Sequence, residues 1–361
     1  MPTELPIGTL IESVETTVAS VLAPQLNRHT FWCGQSGSGK TYALGVLLEQ
    51  VLLHTRLPLV ILDPNSDFVH LGEVREDASP AAAAALAERD VRVFRPGAGA
   101  DDLKARFVRM PLRSRAAIMQ IDPIADSEEY NAMLRFESEL AAVPDGDLIA
   151  YLRSGEGEIR HRLATRLENL GVASWDLWAW GGPAVTDVID ERPDATVLDL
   201  GGFPTQSESR AAALAVLDHL WETREERTGR LIVIDEAHNL CSPDPETPVD
   251  RLLTERIVQI AAEGRKYGLW LLLSTQRPTK VHPNALSQCD NLGLMRMSSP
   301  RDLADLAAVF GYAPASLLER SPGFSQGQAL FAGGFVSAPV LVQMGARLTR
   351  EGGSDVRVPL R

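Results

Sequence analysis

Gly34-Gln35-Ser36-Gly37-Ser38-Gly39-Lys40-Thr41 fits the spacing G-x-x-x-x-G-K-[ST] in full. Glycines let such a loop curl until successive N–H groups point inward at phosphate oxygens, and the helix that follows adds the positive end of its dipole. Lys40 then reaches the β- and γ-phosphates, and the Thr41 hydroxyl takes a place on Mg2+. The spacing predicts a nucleoside-triphosphate site; its plain structural counterpart is a Gly/Ser turn capping a helix. A second group, Leu231-Ile232-Val233-Ile234-Asp235-Glu236, is four apolar residues running into two carboxylates. A buried strand delivers acids to the carboxyl edge of a parallel sheet in this way. Asp235 is the expected partner of the metal, and Glu236, one residue on, the group that polarises the attacking water. Standing alone, the pattern also describes a strand end with solvated carboxylates. Paired with the phosphate loop, it predicts hydrolysis of ATP rather than binding alone.

The run Leu269–Gln276 ends in a polar residue at the matching edge, where the Gln276 amide either orients water and γ-phosphate or bonds a loop. Just before it, Arg265 and Lys266 place two cations on a turn, which by themselves describe a solvated helix end.

The elements that must position these groups are legible as alternating strand and helix. Strands are expected at His29–Cys33, Leu57–Leu62, Asp90–Phe94, Ala195–Leu200, Arg230–Asp235, Leu269–Gln276 and Asn291–Met297, with a helix at Thr41–Leu53 after the phosphate loop. That alternation predicts an α/β fold with a mainly parallel sheet. Between about residues 101 and 190 the pattern turns to amphipathic helices, including Asp126–Val143 and Glu156–Leu170, and predicts an α-helical insertion. A helix at Pro300–Val309 and a hairpin, Gln328–Phe331 with Pro339–Met344, close the chain, and residues 346–361 read as a flexible tail. The expected organisation is 1–100, first part of the nucleotide-binding core; 101–190, insertion; 191–345, second part; 346–361, tail.

With 361 residues and 45% hydrophobic content the chain can bury a large core. A formal net charge of −13 argues against a broad basic surface for nucleic acid, though not against a small basic channel within an assembly. No run approaches the roughly 20 apolar residues of a membrane span, and no basic-then-apolar leader opens the chain, so a cytoplasmic protein without a membrane partner is expected. Cys33, Cys241 and Cys289 lack metal-ligand spacing and are expected to pack. Asp63-x-Asn65-x-Asp67 opens like a calcium loop, but Phe68 stands where the sharp turn needs Gly and Val74 where a bidentate Glu is needed. Arg109, Arg113, Arg115, Arg160, Arg162 and Arg166 read first as salt-bridged faces, and Trp175, Trp178 and Trp180 as a small core.

Four stretches together carry a family resemblance: Gly34–Thr41, Asp235–Leu240, Glu263–Gly268 and Ser274-Thr275-Gln276-Arg277-Pro278. They resemble the HerA branch of the HerA/FtsK superfamily of ring-forming ATPases, over about residues 7 to 345. Asp63–Phe68 is similar to the acidic turn after the family's second strand, and Val197-Leu198-Asp199-Leu200 to its Asp-Leu strand end. The resemblance implies a RecA-like P-loop core, ATP and Mg2+ as cofactors, a homohexamer, DNA as the track, and a nuclease or defence effector as partner. An ATP-gated scaffold regulating such an effector, without processive movement, is the other reading. By the same resemblance Arg265 is a finger inserted into a neighbour's site, Arg28 a second arginine at the nucleotide or the subunit interface, and Asp63 a neighbour of the nucleotide. The expected site set is thus Lys40, Glu236, Gln276, Arg265 and Arg28 for catalysis, Gly34 to Thr41 with Asp63 around the nucleotide, and Thr41 with Asp235 on the metal. With roughly 27 residues expected before the first strand, the chain is expected to lack the family's N-terminal β-barrel. The Asp-Glu-Ala-His tetrapeptide at 235–238 is not read as the box of the two-domain helicases named for it, because the strand that follows ends in Ser274-Thr275-Gln276 and the residues after it are expected to complete the first sheet.

Overall fold

The computed structural model describes residues 3–12, 15–135, 148–180 and 182–353. Eleven strands make one sheet: β1 (Glu4–Leu10), β2 (Val18–Leu22), β3 (His29–Cys33), β4 (Leu59–Asp63), β5 (Val91–Phe94), β6 (Ala195–Asp199), β7 (Arg230–Ile234), β8 (Leu269–Thr275), β9 (Cys289–Met295), β10 (Gln328–Gly333) and β11 (Val340–Met344). Their order is β2-β1-β11-β10-β9-β3-β8-β7-β4-β6-β5. From β9 through β5 all neighbours are parallel, whereas β10, β11, β1 and β2 add antiparallel strands on the other side. The sheet is mixed and mostly parallel, as the alternation of strands and helices predicts.

The parallel strands are buried on both faces, which is why they read as unbroken apolar runs. Alternation divides their side chains: Ile232 and Ile234 enter one core, Leu231 and Val233 the other. Each such fully buried aliphatic side chain contributes about 1.5–3 kcal/mol. On one face lies the helix that follows the phosphate loop, α1 (Lys40–His54). On the other lie the helices Gln206–Glu222 and Pro248–Glu263, and against them the insertion. Its described helices include Leu112–Ile118, Ser127–Arg135, Leu148–Ser154 and Glu158–Leu170. Residues 136–143 of the expected helix lie outside the described residues.

The insertion is not a separate unit, because Phe107, Leu163, Leu167 and Trp178 belong to the same apolar cluster as Ile232 and Leu273 of the sheet. Trp178 is 4% exposed, stacks on Trp175 at 5.9 Å, meets Phe107 edge-on, and donates its indole N–H to the Val172 carbonyl at 2.7 Å. The tryptophans are therefore core. Three of the arginines read as salt-bridged faces are paired, Arg113 with Glu255, Arg162 with Glu158 and Arg166 with Asp126, whereas Arg115 is fully buried.

Two expectations are corrected. The residues before His29 hold two strands: Leu5 and Ile7 of β1 bury one side of a hairpin that joins the main sheet beside β11. The segment 346–353, expected as part of a flexible tail, is pinned. Arg347 and Thr349 are fully buried, Leu348 and Thr349 donate backbone N–H groups to Glu49 of α1, and the Gly352 N–H donates to the Asp67 carbonyl at 3.1 Å.

Candidate nucleotide site

Strand register assembles the site. Cys33 of β3 lies beside Thr275 of β8, Leu273 of β8 beside Ile234 of β7, Ile234 beside Leu62 of β4, and Asp63 beside Asp199 of β6. The carboxyl ends of five strands therefore finish in one row, and each residue that follows or ends a strand projects into the same edge. The phosphate loop leaves β3 there. Gly37 and Gly39 take φ of +73° and +86°, the left-handed region that other residues enter at a cost. The end of β9 braces the loop: Gln35 donates its N–H to the Arg296 carbonyl, its amide oxygen accepts from the Ser298 N–H at 2.9 Å, and the Arg296 guanidinium donates to the Gly37 carbonyl at 2.8 Å.

Lys40, first residue of α1 and 6% exposed, points at the carboxylates. Its Nζ lies 2.7 Å from Asp235 Oδ1, 2.9 Å from Ser274 Oγ and 3.3 Å from Glu236 Oε1, and Ser274 also donates to Asp235 at 2.6 Å. Burial alone would lower the Lys40 pKa, but the charges and hydrogen bonds of Asp235 and Glu236 outweigh it and raise it, so the ammonium is retained. Glu236 sits at φ +43°, ψ +48°, a conformation that costs a non-glycine residue roughly 1–3 kcal/mol and that tertiary contacts must over-determine. Here they do. The Gln276 side-chain amide donates to Oε1 at 3.0 Å and its backbone N–H to Oε2 at 3.3 Å, while His238 Nδ1 stands 3.2 Å from Oε2. Burial pushes the Glu236 pKa upward, yet the His238 contact, the Lys40 charge and the Gln276 N–H prevail and hold it down to about 2. Glu236 is thus a carboxylate at neutral pH, the form a water-activating base needs.

Asp63 ends β4 and is fully buried; its oxygens accept the N–H groups of Asn65, Asp67 and Phe68. Burial raises its pKa to about 6 against those hydrogen bonds. The Asp67 carboxyl rises to about 7, through burial first and then the charges of Asp235 and Asp63. Carboxylate oxygens of Asp63, Asp67 and Asp235 lie within 4.8 Å of one another. Asp235 Oδ2 is buried with no hydrogen-bond partner. A cleft of about 280 Å³, lined by Asn65, Gly201, Arg210 and Asn239 among others, opens alongside between the β4, β6 and β7 ends.

Of the expected residues, the structure brings together the loop Gly34 to Thr41, Asp63, Asp235, Glu236 and Gln276. Arg28 and Arg265 are elsewhere, at the amino ends of β3 and β8, on the opposite edge of the sheet. There Arg265 pairs with Asp290 of its own chain, which Arg28 also approaches to 3.5 Å. Sequence reading missed Ser274, His238 and Asp67. Ser274 stands two residues before Gln276, and the two-residue period of a strand was the available signal for placing both on one side. His238 adds a bond to Thr275 Oγ1 at 2.9 Å, joining the β7 turn to the end of β8. All three cysteines are buried and free, and burial raises the Cys241 thiol to about 12, as inert packing groups require.

Residues 5–161 match the family described as helicase HerA, central domain. The DNA double-strand break repair helicase HerA of Sulfurisphaera tokodaii is 32% identical over 125 residues, 35% of this chain and 24% of its own length. Its counterpart from Pyrococcus furiosus is 22% identical over 399 residues, 94% of this chain and 69% of its own. The chain thus spans about a quarter of most of these curated relatives and about two thirds of the Pyrococcus one. Among solved structures, VirB4 of Thermoanaerobacter pseudethanolicus superposes with a TM-score of 0.65 at 16% identity, covering 95% of this chain and 96% of its own. The bacterial conjugative coupling protein TrwB superposes with a TM-score of 0.60 at 13% identity, over 97% and 95%. The first half of the chain is thus similar in sequence to the HerA central domain, and nearly all of it shares the fold of VirB4 and TrwB.

Proposed function

We propose that this chain hydrolyses ATP with Mg2+ and, assembled head to tail as a homohexameric ring, couples hydrolysis to movement along DNA beside a nuclease or effector partner. The observation that carries the reading is the placement of Glu236. It is an ionised carboxylate on the same sheet edge as the phosphate loop, tied to Lys40 on one side and to Gln276 on the other. In that reading Lys40 exchanges its carboxylate partners for the terminal phosphates. Glu236 accepts the proton of the attacking water, and Gln276 holds Glu236 and the water in register. Thr41 and Asp235 hold the metal, and the unpartnered Asp235 oxygen fits a cation ligand. Mg2+, when bound, supplies the charge that offsets the developing negative charge on the phosphates.

The ring part rests on Arg28 and Arg265. A five-residue strand, about 16 Å long, separates their edge from the phosphate loop of the same chain, so they suit a neighbouring subunit's site in a heterologous, closing contact. DNA as track follows the relatives described as DNA double-strand break repair helicases, and the nuclease or effector partner rests on the family resemblance alone.

The test is steady-state ATP hydrolysis at low salt with and without linear duplex DNA, with Lys40→Ala to subtract contaminants. Stimulation by DNA, weakening as salt rises, supports the motor. Turnover indifferent to DNA assigns the ATP-gated scaffold instead. Rings mixed from Arg265→Ala and Lys40→Ala subunits should regain activity that neither variant shows alone; no recovery would refute action across the interface.

A further inference from the structure

We propose that Asp67 is a cation ligand, and that Asp63, Asp67 and Asp235 form a preassembled three-carboxylate centre for a divalent metal of the Mg2+ or Mn2+ class. The proposal deepens the nucleotide-site reading, and its test is run on protein without nucleotide so that the two can fail separately. Sequence reading placed only Thr41 and Asp235 on the metal, and as a loop motif Asp63 to Asp67 fails the calcium pattern. Folding changes the partners. Asp235 arrives from β7, two strand ends finish side by side in register, and the β4 turn folds Asp67 back toward both.

Two features separate this centre from an ordinary acidic cluster. Asp235 is fully buried, and its Oδ2 accepts no hydrogen bond. A buried carboxylate oxygen without a partner costs about 1–3 kcal/mol or more and calls for an ion or water to satisfy it. The Asp67 carboxylate likewise makes no hydrogen bond or ion pair among the described residues. A cation with oxygens at about 2.1 Å holds those oxygens about 3–4.2 Å apart in octahedral coordination. Rotamer-scale movement from the 4.8 Å envelope closes the set.

The turn that carries Asp67 is held independently of any ligand. Ser66 Oγ donates to Asp199 at 2.7 Å, and the Gly352 N–H donates to the Asp67 carbonyl. Gly352 is required there, since a Cβ would stand 1.9 Å from the Ser66 carbonyl oxygen. Lys40 gives the centre its link to nucleotide. Its ammonium is the cation now 2.7 Å from Asp235 Oδ1, and when phosphates draw it away the three carboxylates need replacement charge. Metal and nucleotide should therefore bind with positive coupling, on the order of 5–150-fold.

The experiment is titration of Mn2+ into the full chain without nucleotide, followed by loss of the free-ion electron paramagnetic resonance signal. Wild type, Asp67→Asn and Asp77→Asn are compared; Asp77 is an exposed acid paired with Arg75 and serves as the surface control. Wild type and Asp77→Asn should each hold one ion competed by Mg2+, and Asp67→Asn should bind it at least tenfold more weakly with unchanged circular dichroism. Absence of a saturable site in wild type, or equal affinity in Asp67→Asn, would overturn the proposal. Failure of DNA to stimulate hydrolysis would leave the Mn2+ result standing.

Discussion

Lys40→Ala is the natural inactive variant, and the structure predicts that it is also an unstable one. The ammonium is 6% exposed and contacts two carboxylates that are themselves almost fully buried, Asp235 at 2.7 Å and Glu236 at 3.3 Å. Truncation leaves both without their cation. Breaking a buried pair by removing one partner costs about 3–5 kcal/mol, because a desolvated charge is left behind. Unfolding entropy of about 2.1 cal/mol/K per residue amounts to about 0.76 kcal/mol/K for 361 residues. The expected fall in Tm is therefore about 4–7 °C, measured by calorimetry at neutral pH without nucleotide. Adding Asp235→Asn should recover part of the loss, the double variant losing less than the sum of the singles by roughly 0.5–3 kcal/mol. A Lys40→Ala protein melting within 1 °C (roughly 0.8 kcal/mol) of wild type, with an additive double variant, would refute the reasoning.

Glu236→Gln should bind ATP and reduce turnover by about 10²–10⁴-fold, read in single-turnover assays. The same variant should flatten the acid limb of the stability curve, measured by urea midpoints at pH 3 and 6. Glu236 is held down to about 2 in the fold, so its stabilisation is complete above the ordinary carboxylate pKa and lost as pH falls toward 2. Gly45→Ala, which in an ordinary helix would gain about 0.5–1 kcal/mol, should here lower the Tm. Its Cβ would stand 2.6 Å from Nε of the fully buried Arg347. Trp178→Ala should cost about 3–5 kcal/mol in chemical denaturation while hydrolysis at 20 °C persists, because the indole packs on Trp175 and Phe107 and bonds Val172, all within the insertion.

The phosphate loop and the Asp235-Glu236 strand end were legible because each is local: spacing within eight residues and an apolar run within six. Fold class followed from the alternation of such runs with helices. The hairpin of β1 and β2 was not legible, although Leu5 and Ile7 alternate with Glu4 and Pro6 as a half-buried strand should. Pro6 and Gly8 break the strand signal. In the fold they flank a register shift, where a Cβ on Gly8 would lie 2.0 Å from the Gln343 carbonyl oxygen. The metal partners Asp63 and Asp67 were visible as residues but not as neighbours of Asp235, since that closeness depends on β4 and β7 pairing across 170 residues of chain. The pairing of Arg265 with Asp290 was hidden for the same reason. The anchored segment 346–353 escaped notice because much of its hold comes from Glu49, a glutamate on the buried side of α1, across some 300 residues of chain.

The order of strands also has a meaning for how the chain is made. β3, which carries the phosphate loop, is flanked by β8 and β9, both synthesised more than 230 residues later. At about 5–20 residues per second, translation leaves β3 with two bare edges for roughly 12–50 s. Such edges invite pairing with the wrong chain. The segment 5–161, which bears the HerA signature, is therefore not a portable module: cut out, it would lack both neighbours of its own central strand. The most local of the chain's motifs depends on the most distant of its contacts, and nascent chains need shielding until Met295 has emerged.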